Sequence, residues 1–367
     1  MHKTSASPLA LAYVALIVYA SLYPFSGWRD QGLLPWGFLF APWPRYWTGF
    51  DVTINLAGYV PLGALLALSV LRARRRHAAW VAVLVCGVLS FTLEALQSYL
   101  PSRVASREDL LLNAAGAAMG ALATLLLDRW GVIRRWSRLR ARWFVEQSRG
   151  GMVLLATWPV ALMFPAAVPF GLGQIQSRLE EVLTQQLAGT GFASWLPQRL
   201  TPLTPLGSGA ELVCVFLGLL IPCLLGFCVV RSMRRRLWLV GVMTLLGVAA
   251  TALSAALSWG PAHAWAWLGT PAVLGIGLCV VISLALSLVS WRSSAALLLL
   301  ALGVYLSLLN QAPESPYFAQ TLQAWEQGRF IRFHGLAQWL GWLWPYAALV
   351  YVLLQLGRSD SKTRIDT

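Results

Sequence analysis

The chain has 367 residues, of which 58% are apolar and only 11% charged, with 19 tryptophans and a net charge of +14. Apolar runs of about 18 residues, separated by short arginine clusters, exclude a soluble domain and indicate an all-α, polytopic helical membrane protein. The positive charge then reads as arginines that hold loops on one side of a membrane, and no nucleic-acid partner is expected.

The first apolar run covers residues 8–24. Lys3 gives a weak basic end and the stretch after the run has no small-residue cleavage site, so a retained helix is expected rather than a signal peptide. Residues 26–50 form a Pro/Trp/Gly-rich loop whose aromatics suit a membrane interface. Spans are then expected at about 52–71, 78–99 and 109–127. Residues 128–149 interleave tryptophans with arginines, which fits either a helix lying on an anionic leaflet or a solvated linker that fixes topology. Further spans are expected at about 150–171, 210–230, 237–258, 270–290, 295–311 and 336–356, about ten in all. The expected division is a four-helix membrane domain at 1–130, a basic cytoplasmic linker at 131–149 and a six-helix membrane region at 150–367. Ile175, Leu179, Val182 and Leu183 share one helix face, and Phe318, Leu322 and Trp325 repeat the theme within 316–333, so both segments read as interfacial helices. The five cysteines, Cys86, Cys214, Cys223, Cys228 and Cys279, all fall in apolar runs and read as small packing residues.

Ten spans put both termini on one side. Twenty lysines and arginines fall in the termini and in the loops at 72–77, 128–149, 231–236 and 291–294, against eight in the opposite loops. That bias predicts an N-in, C-in protein and puts the turn near residue 100 on the outside, which in a bacterium is the periplasm or cell exterior.

At that turn lies a polar constellation. Ser90, Glu94 and Gln97 share a helical face, and the span that follows opens on Asp109, Asn113, Gly116 and Gly120. The second span opens with the same Asp-x3-Asn-x2-Gly pattern at Asp51, Asn55 and Gly58. Asp51 and Asp109 read equally as helix caps or site residues. Asn55 and Asn113 read as helix–helix hydrogen bonders, and each following glycine admits a neighbouring backbone. Glu94, about 9 Å below the helix end, reads with Gln97 as functional, as an acid able to exchange protons. Arg103 suits either a phosphate or carboxylate ligand or lipid headgroups, and Arg107 with Glu108 reads as a solvated pair. The contrary reading is that these groups merely satisfy one another and pin three helices, at about 1 kcal/mol each.

The order Asn55-x2-Gly58-x2-Pro61-x-Gly63, Glu94-x2-Gln97 and Arg103-x2-Ser106-x2-Asp109-x3-Asn113-x2-Gly116-x3-Gly120 resembles the VanZ-like family over about residues 10–130. That family is a four-span bacterial membrane domain named for a teicoplanin-resistance protein. The resemblance implies that Asn55, Glu94, Gln97, Arg103, Asp109 and Asn113 form its polar core. It implies a cell-envelope protein whose partners are membrane lipids or a lipid-linked glycan or cell-wall precursor. For such a ligand the candidate binding residues of this chain are Asp51, Asn55, Glu94, Gln97, Arg103, Ser106, Asp109 and Asn113.

Three functions are weighed. The first is binding or shielding such a precursor at the outer leaflet. The second is an enzyme that modifies it through Glu94 or Asp109 as acid or base. The third is a transporter, against which stands the fact that the two echoing helices run parallel and are polar only at one end. His2, His77, His263 and His334 all lie away from the constellation, and no metal or cofactor is expected.

Overall fold

The computed structural model describes all residues except 1–5, 24, 26, 44–48, 73–76, 146–147, 165, 193–202, 314–330 and 366–367. Within the helices it also leaves out the side chains of residues 50, 51, 72, 331–336 and 358–365. Twelve α-helices and two short 3-10 turns make up the described structure. The one β-type pairing among these residues is an isolated bridge between Phe144 and Val230. The chain divides into two compact units, residues 1–139 and 140–367.

The N-terminal unit holds α1 (Ala6–Leu22), α2 (Gly49–Arg72), α3 (Ala78–Gln97), α4 (Arg107–Arg129) and the start of α5 (Val132–Trp143). Helix α4 begins where Ser106, in extended conformation, accepts the Asp109 backbone N–H at 3.2 Å, with Glu108 and Asp109 in the first turn. It ends before Gly131, whose φ of 73° closes the helix as a left-handed residue. Helices α2 and α4 cross backbone to backbone. A Cβ on Gly63 would strike Ala117, one on Gly116 would strike the Leu56 carbonyl, and one on Gly120 the Val60 carbonyl. Gly58, by contrast, faces open space, so the echoed glycine admits a neighbouring helix at Gly116 only. Beside this crossing Leu62, Cys86, Leu93, Leu100 and Ala117 are buried together. On α3, Trp80, Leu84, Val88 and Phe91 stay exposed at three- and four-residue spacing, a stripe suited to lipid rather than water.

The C-terminal unit holds α6 (Arg149–Ala161), α7 (Gln176–Leu187), α8 (Ser208–Val229), α9 (Met233–Trp259), α10 (Thr270–Leu286), α11 (Trp291–Leu309) and α12 (Ile331–Ile365). Helix α8 is its axis: nearly every residue from Cys214 onward is buried, against α6, α9, α10 and α11. Arg236 ties one end of this bundle together. Its guanidinium donates to the carbonyls of Phe227 (2.8 Å), Ser287 (3.2 Å) and Val289 (2.7 Å), which helix ends and turns leave without partners.

Among the described residues, seven helices are long and apolar enough to cross a membrane: α2, α3, α4, α8, α9, α11 and the part of α12 from Ala337 to Gly357. Helices α1 and α10 are apolar but shorter, at 17 residues each. The stretch expected to span at 150–171 behaves differently. Helix α6 has 13 residues, or about 20 Å of rise, and stops at Ala161, two residues after Pro159. The chain then folds over the bundle end, where Phe170 has a φ of 61°. There the Tyr305 hydroxyl donates to the Phe170 carbonyl at 2.7 Å and accepts the Leu172 N–H, and Gly173 N–H reaches Gly341 O at 2.8 Å. Four of the five cysteines are buried and Cys228 is half-buried; all are unpaired. On α7, Leu179, Val182 and Leu183 are exposed together, which keeps the expected amphipathic face. The companion segment with Phe318, Leu322 and Trp325 lies outside the described residues.

Candidate functional site

The predicted polar residues converge where α3 ends and α4 begins. Asn55 on α2 donates its amide to Asp109 Oδ1 on α4 at 2.7 Å. One turn further along α4, Asn113 donates to Ser90 Oγ on α3 at 2.9 Å. Tyr59 on α2 reaches the same Ser90 hydroxyl. Three helices are therefore joined by side-chain bonds on two levels, beside the backbone crossing that Gly116 and Gly120 permit. The Asn113 carboxamide oxygen is buried and has no hydrogen-bond partner among the described residues.

Glu94 is 4% exposed, and its Oε2 accepts the backbone N–H of Ser106 at 2.8 Å. That bond closes the loop 98–106 onto α3. Because α3 ends at Gln97, Glu94 stands in the last turn, about 5 Å from the helix end rather than 9 Å. Asp109 and Glu108 both lie within electrostatic reach of it.

Ser106 is busier than its place in the motif suggests. Its hydroxyl donates to Glu108 Oε2 at 2.7 Å while accepting the Asp109 N–H. The α4 cap is thus Ser106, and Asp109 is the residue whose amide is capped, which goes against one of the two readings of Asp109, the helix cap. Glu108 also takes Arg107 Nε at 3.2 Å, and the Arg107 guanidinium lies 4.1 Å from the centre of the Trp43 ring. With Glu108 7% exposed, this is not the solvated pair expected from the sequence. Glu108 and Trp43 are members of the cluster that sequence reasoning missed. The available signal was Ser106-x-Glu108 at a helix start, where a short hydroxyl can bridge a carboxylate and the backbone.

Two candidates face elsewhere. Gln97 donates to Ser21 O at 3.1 Å, near the end of α1, although Ser90 and Glu94 on its own face meet α4 and the turn before it. Arg103 donates through Nη2 to Tyr23 O at 2.8 Å. Asp51 belongs to α2, but its side chain lies outside the described residues. Chemically, the cluster offers three neighbouring carboxylates, a buried carboxamide acceptor and Arg107, with Arg103 on the adjoining loop.

Residues 7–128 match the VanZ/LLP1 family model. The chain carries a VanZ-like region. No curated protein and no solved structure matches the chain. The VanZ-like region takes in α1 to α4 except for Ala6 and Arg129, and with them every residue of the polar cluster. The rest of the chain extends beyond it as a separate helical unit. Together with the apolar helices, this makes the protein a multi-pass membrane protein with a VanZ-like N-terminal region.

Proposed function

We propose that the VanZ-like unit serves the bacterial cell envelope by binding or shielding a lipid-linked glycan or peptidoglycan precursor at the outer leaflet of the cytoplasmic membrane. The observation that carries this reading is the gathering of Asn55, Glu94, Asp109 and Asn113 at one end of the unit, next to the loop that bears Arg103. Arg103 uses one N–H on Tyr23, and the rest of its donor fork is available to a phosphate. In this scheme Glu94 is a positioning residue: it holds Ser106 and so fixes the loop that presents Arg103. The unpartnered Asn113 oxygen also favours a working site, because a cluster serving only to pin helices gains nothing from a buried, unsatisfied acceptor.

The enzymatic reading is second. It is favoured by the approach of Glu94 to Asp109 and Glu108, since neighbouring carboxylates are the usual setting for acid–base work.

The test is complementation of a deletion strain with wild type, Glu94→Gln or Arg103→Ala, reading envelope-drug sensitivity, labelled lipid-linked precursor pools and membrane abundance together. Both variants are expected at normal abundance. Arg103→Ala is expected without restored function, whereas Glu94→Gln, whose amide oxygen still accepts the Ser106 N–H, is expected to complement if Glu94 only positions the loop and to fail if its charge takes part. Chemically altered precursors would favour the enzyme. Full complementation by both variants would overturn the site.

A further inference from the structure

A cavity of about 350 Å³ opens in the C-terminal unit, where α6 and α9 finish and α8 and α10 begin. Much of its wall is aromatic: Phe164 and Phe170 from the folded-over segment, Trp259 at the end of α9 and Trp267 before α10. The wall is braced from behind. Trp158 stacks on Phe170 at 6.4 Å, and Trp267 meets Phe170 edge-on at 5.8 Å.

Two polar groups in this lining are unspent. Glu211, in the first turn of α8, makes no side-chain hydrogen bond or ion pair among the described residues. Thr251 Oγ1 on α9 is buried with no partner. The neighbouring Ser254 hydroxyl is already committed, to Met163 O at 2.9 Å. Among the described residues, no lysine, arginine or histidine lines the cavity. From those residues an anion would receive no counter-charge, and a purely apolar ligand would leave Thr251 unsatisfied.

We propose that this cavity binds a primary organic ammonium carrying an aromatic or short aliphatic body. The ammonium meets the Glu211 carboxylate, an N–H meets Thr251 Oγ1, and the indole and phenyl walls cover the body and favour the positive charge. The volume lies at the small end of the range for ligand pockets, which suits a ligand of this size. A free amine and the ethanolamine headgroup of a lipid share this chemistry.

The experiment uses the full chain in dodecyl maltoside micelles at neutral pH, with tritiated 2-phenylethylamine read by scintillation proximity. Saturable binding is expected, with the neutral analogue 2-phenylethanol competing at least about ten-fold more weakly. Glu211→Gln is expected to weaken binding by about ten-fold and Thr251→Val by about three-fold, at unchanged melting temperature. Competition by lysophosphatidylethanolamine would assign the site to a lipid headgroup, and no competition would assign it to a free amine. Absence of saturable binding to wild type, equal competition by the alcohol, or unchanged affinity in a folded Glu211→Gln variant would each overturn the proposal. Should that variant fail to fold, the alcohol competition on wild type decides.

Discussion

Glu94, Asn55 and Asn113 share one physical problem, which is how to carry a strong polar group in a helix that is otherwise apolar. Glu94 solves it with a backbone amide from the next element, and Asn55 with a carboxylate on a neighbouring helix. Asn113 solves half of it: its amide is satisfied by Ser90 while its oxygen is left over. The Asn55–Asp109 bond makes the two residues energetically dependent on each other. A double-mutant cycle with Asn55→Ala and Asp109→Ala should show a coupling of about 1 kcal/mol in reversible unfolding from micelles, whereas unlinked sites would simply add. Much of this cluster is legible in the sequence, because Asp-x3-Asn-x2-Gly recurs and helical periodicity puts its members on one face. Gln97 is not: it shares a face with Glu94 yet donates to Ser21, since the end of α1 lies against that last turn and nothing in the local pattern announces it. Glu108 is obscured for another reason. Beside Arg107 it looks like a surface ion pair, and only the Ser106 hydroxyl on Glu108 and the ring of Trp43 on Arg107 show that the pair is held in the cluster.

At the level of helices, the crossing of α2 and α4 depends on missing side chains rather than on attractive ones. Any Cβ on Gly120 meets the Val60 carbonyl and the Ala64 amide, both of them backbone and unable to swing aside. Gly120→Ala should therefore cost about 1–3 kcal/mol in thermal or denaturant unfolding. Gly58→Ala should be neutral, or stabilising by about 0.5–1 kcal/mol, because the added methyl enters open space and alanine favours the helix. Equal effects at the two positions would contradict the crossing described here. The small-xxx-small spacing of Gly116 and Gly120 makes this contact readable in advance, but the same reasoning applied to Gly58 fails because a glycine does not reveal which side its neighbour lies on. Helix α6 is the clearest case of a pattern that misleads. Residues 150–171 are apolar enough to span, yet the helix stops at Ala161, and the remaining apolar residues are spent on covering the bundle end under Tyr305. Apolar composition fixes that a segment is buried; it does not fix whether it crosses a membrane or caps a bundle.

For the molecule as a whole, composition alone settles the helical membrane class, and motif spacing marks the VanZ-like third of the chain. Arginine bias predicts an N-in, C-in arrangement, and Arg236 shows that such a residue also does local work, filling carbonyls at the ends of α8 and α10. The cavity beside Glu211 has no sequence signature, because its walls come from four separate stretches of the C-terminal unit. The central claim concerns the N-terminal polar cluster, and its most direct test is binding of a purified lipid-linked disaccharide-peptide precursor to the full chain in nanodiscs. Wild type should bind saturably, and Arg103→Ala should bind about ten-fold more weakly with its melting temperature unchanged, as expected for the loss of a charge-assisted phosphate contact. No saturable binding by wild type, or equal binding by the variant, would contradict the account.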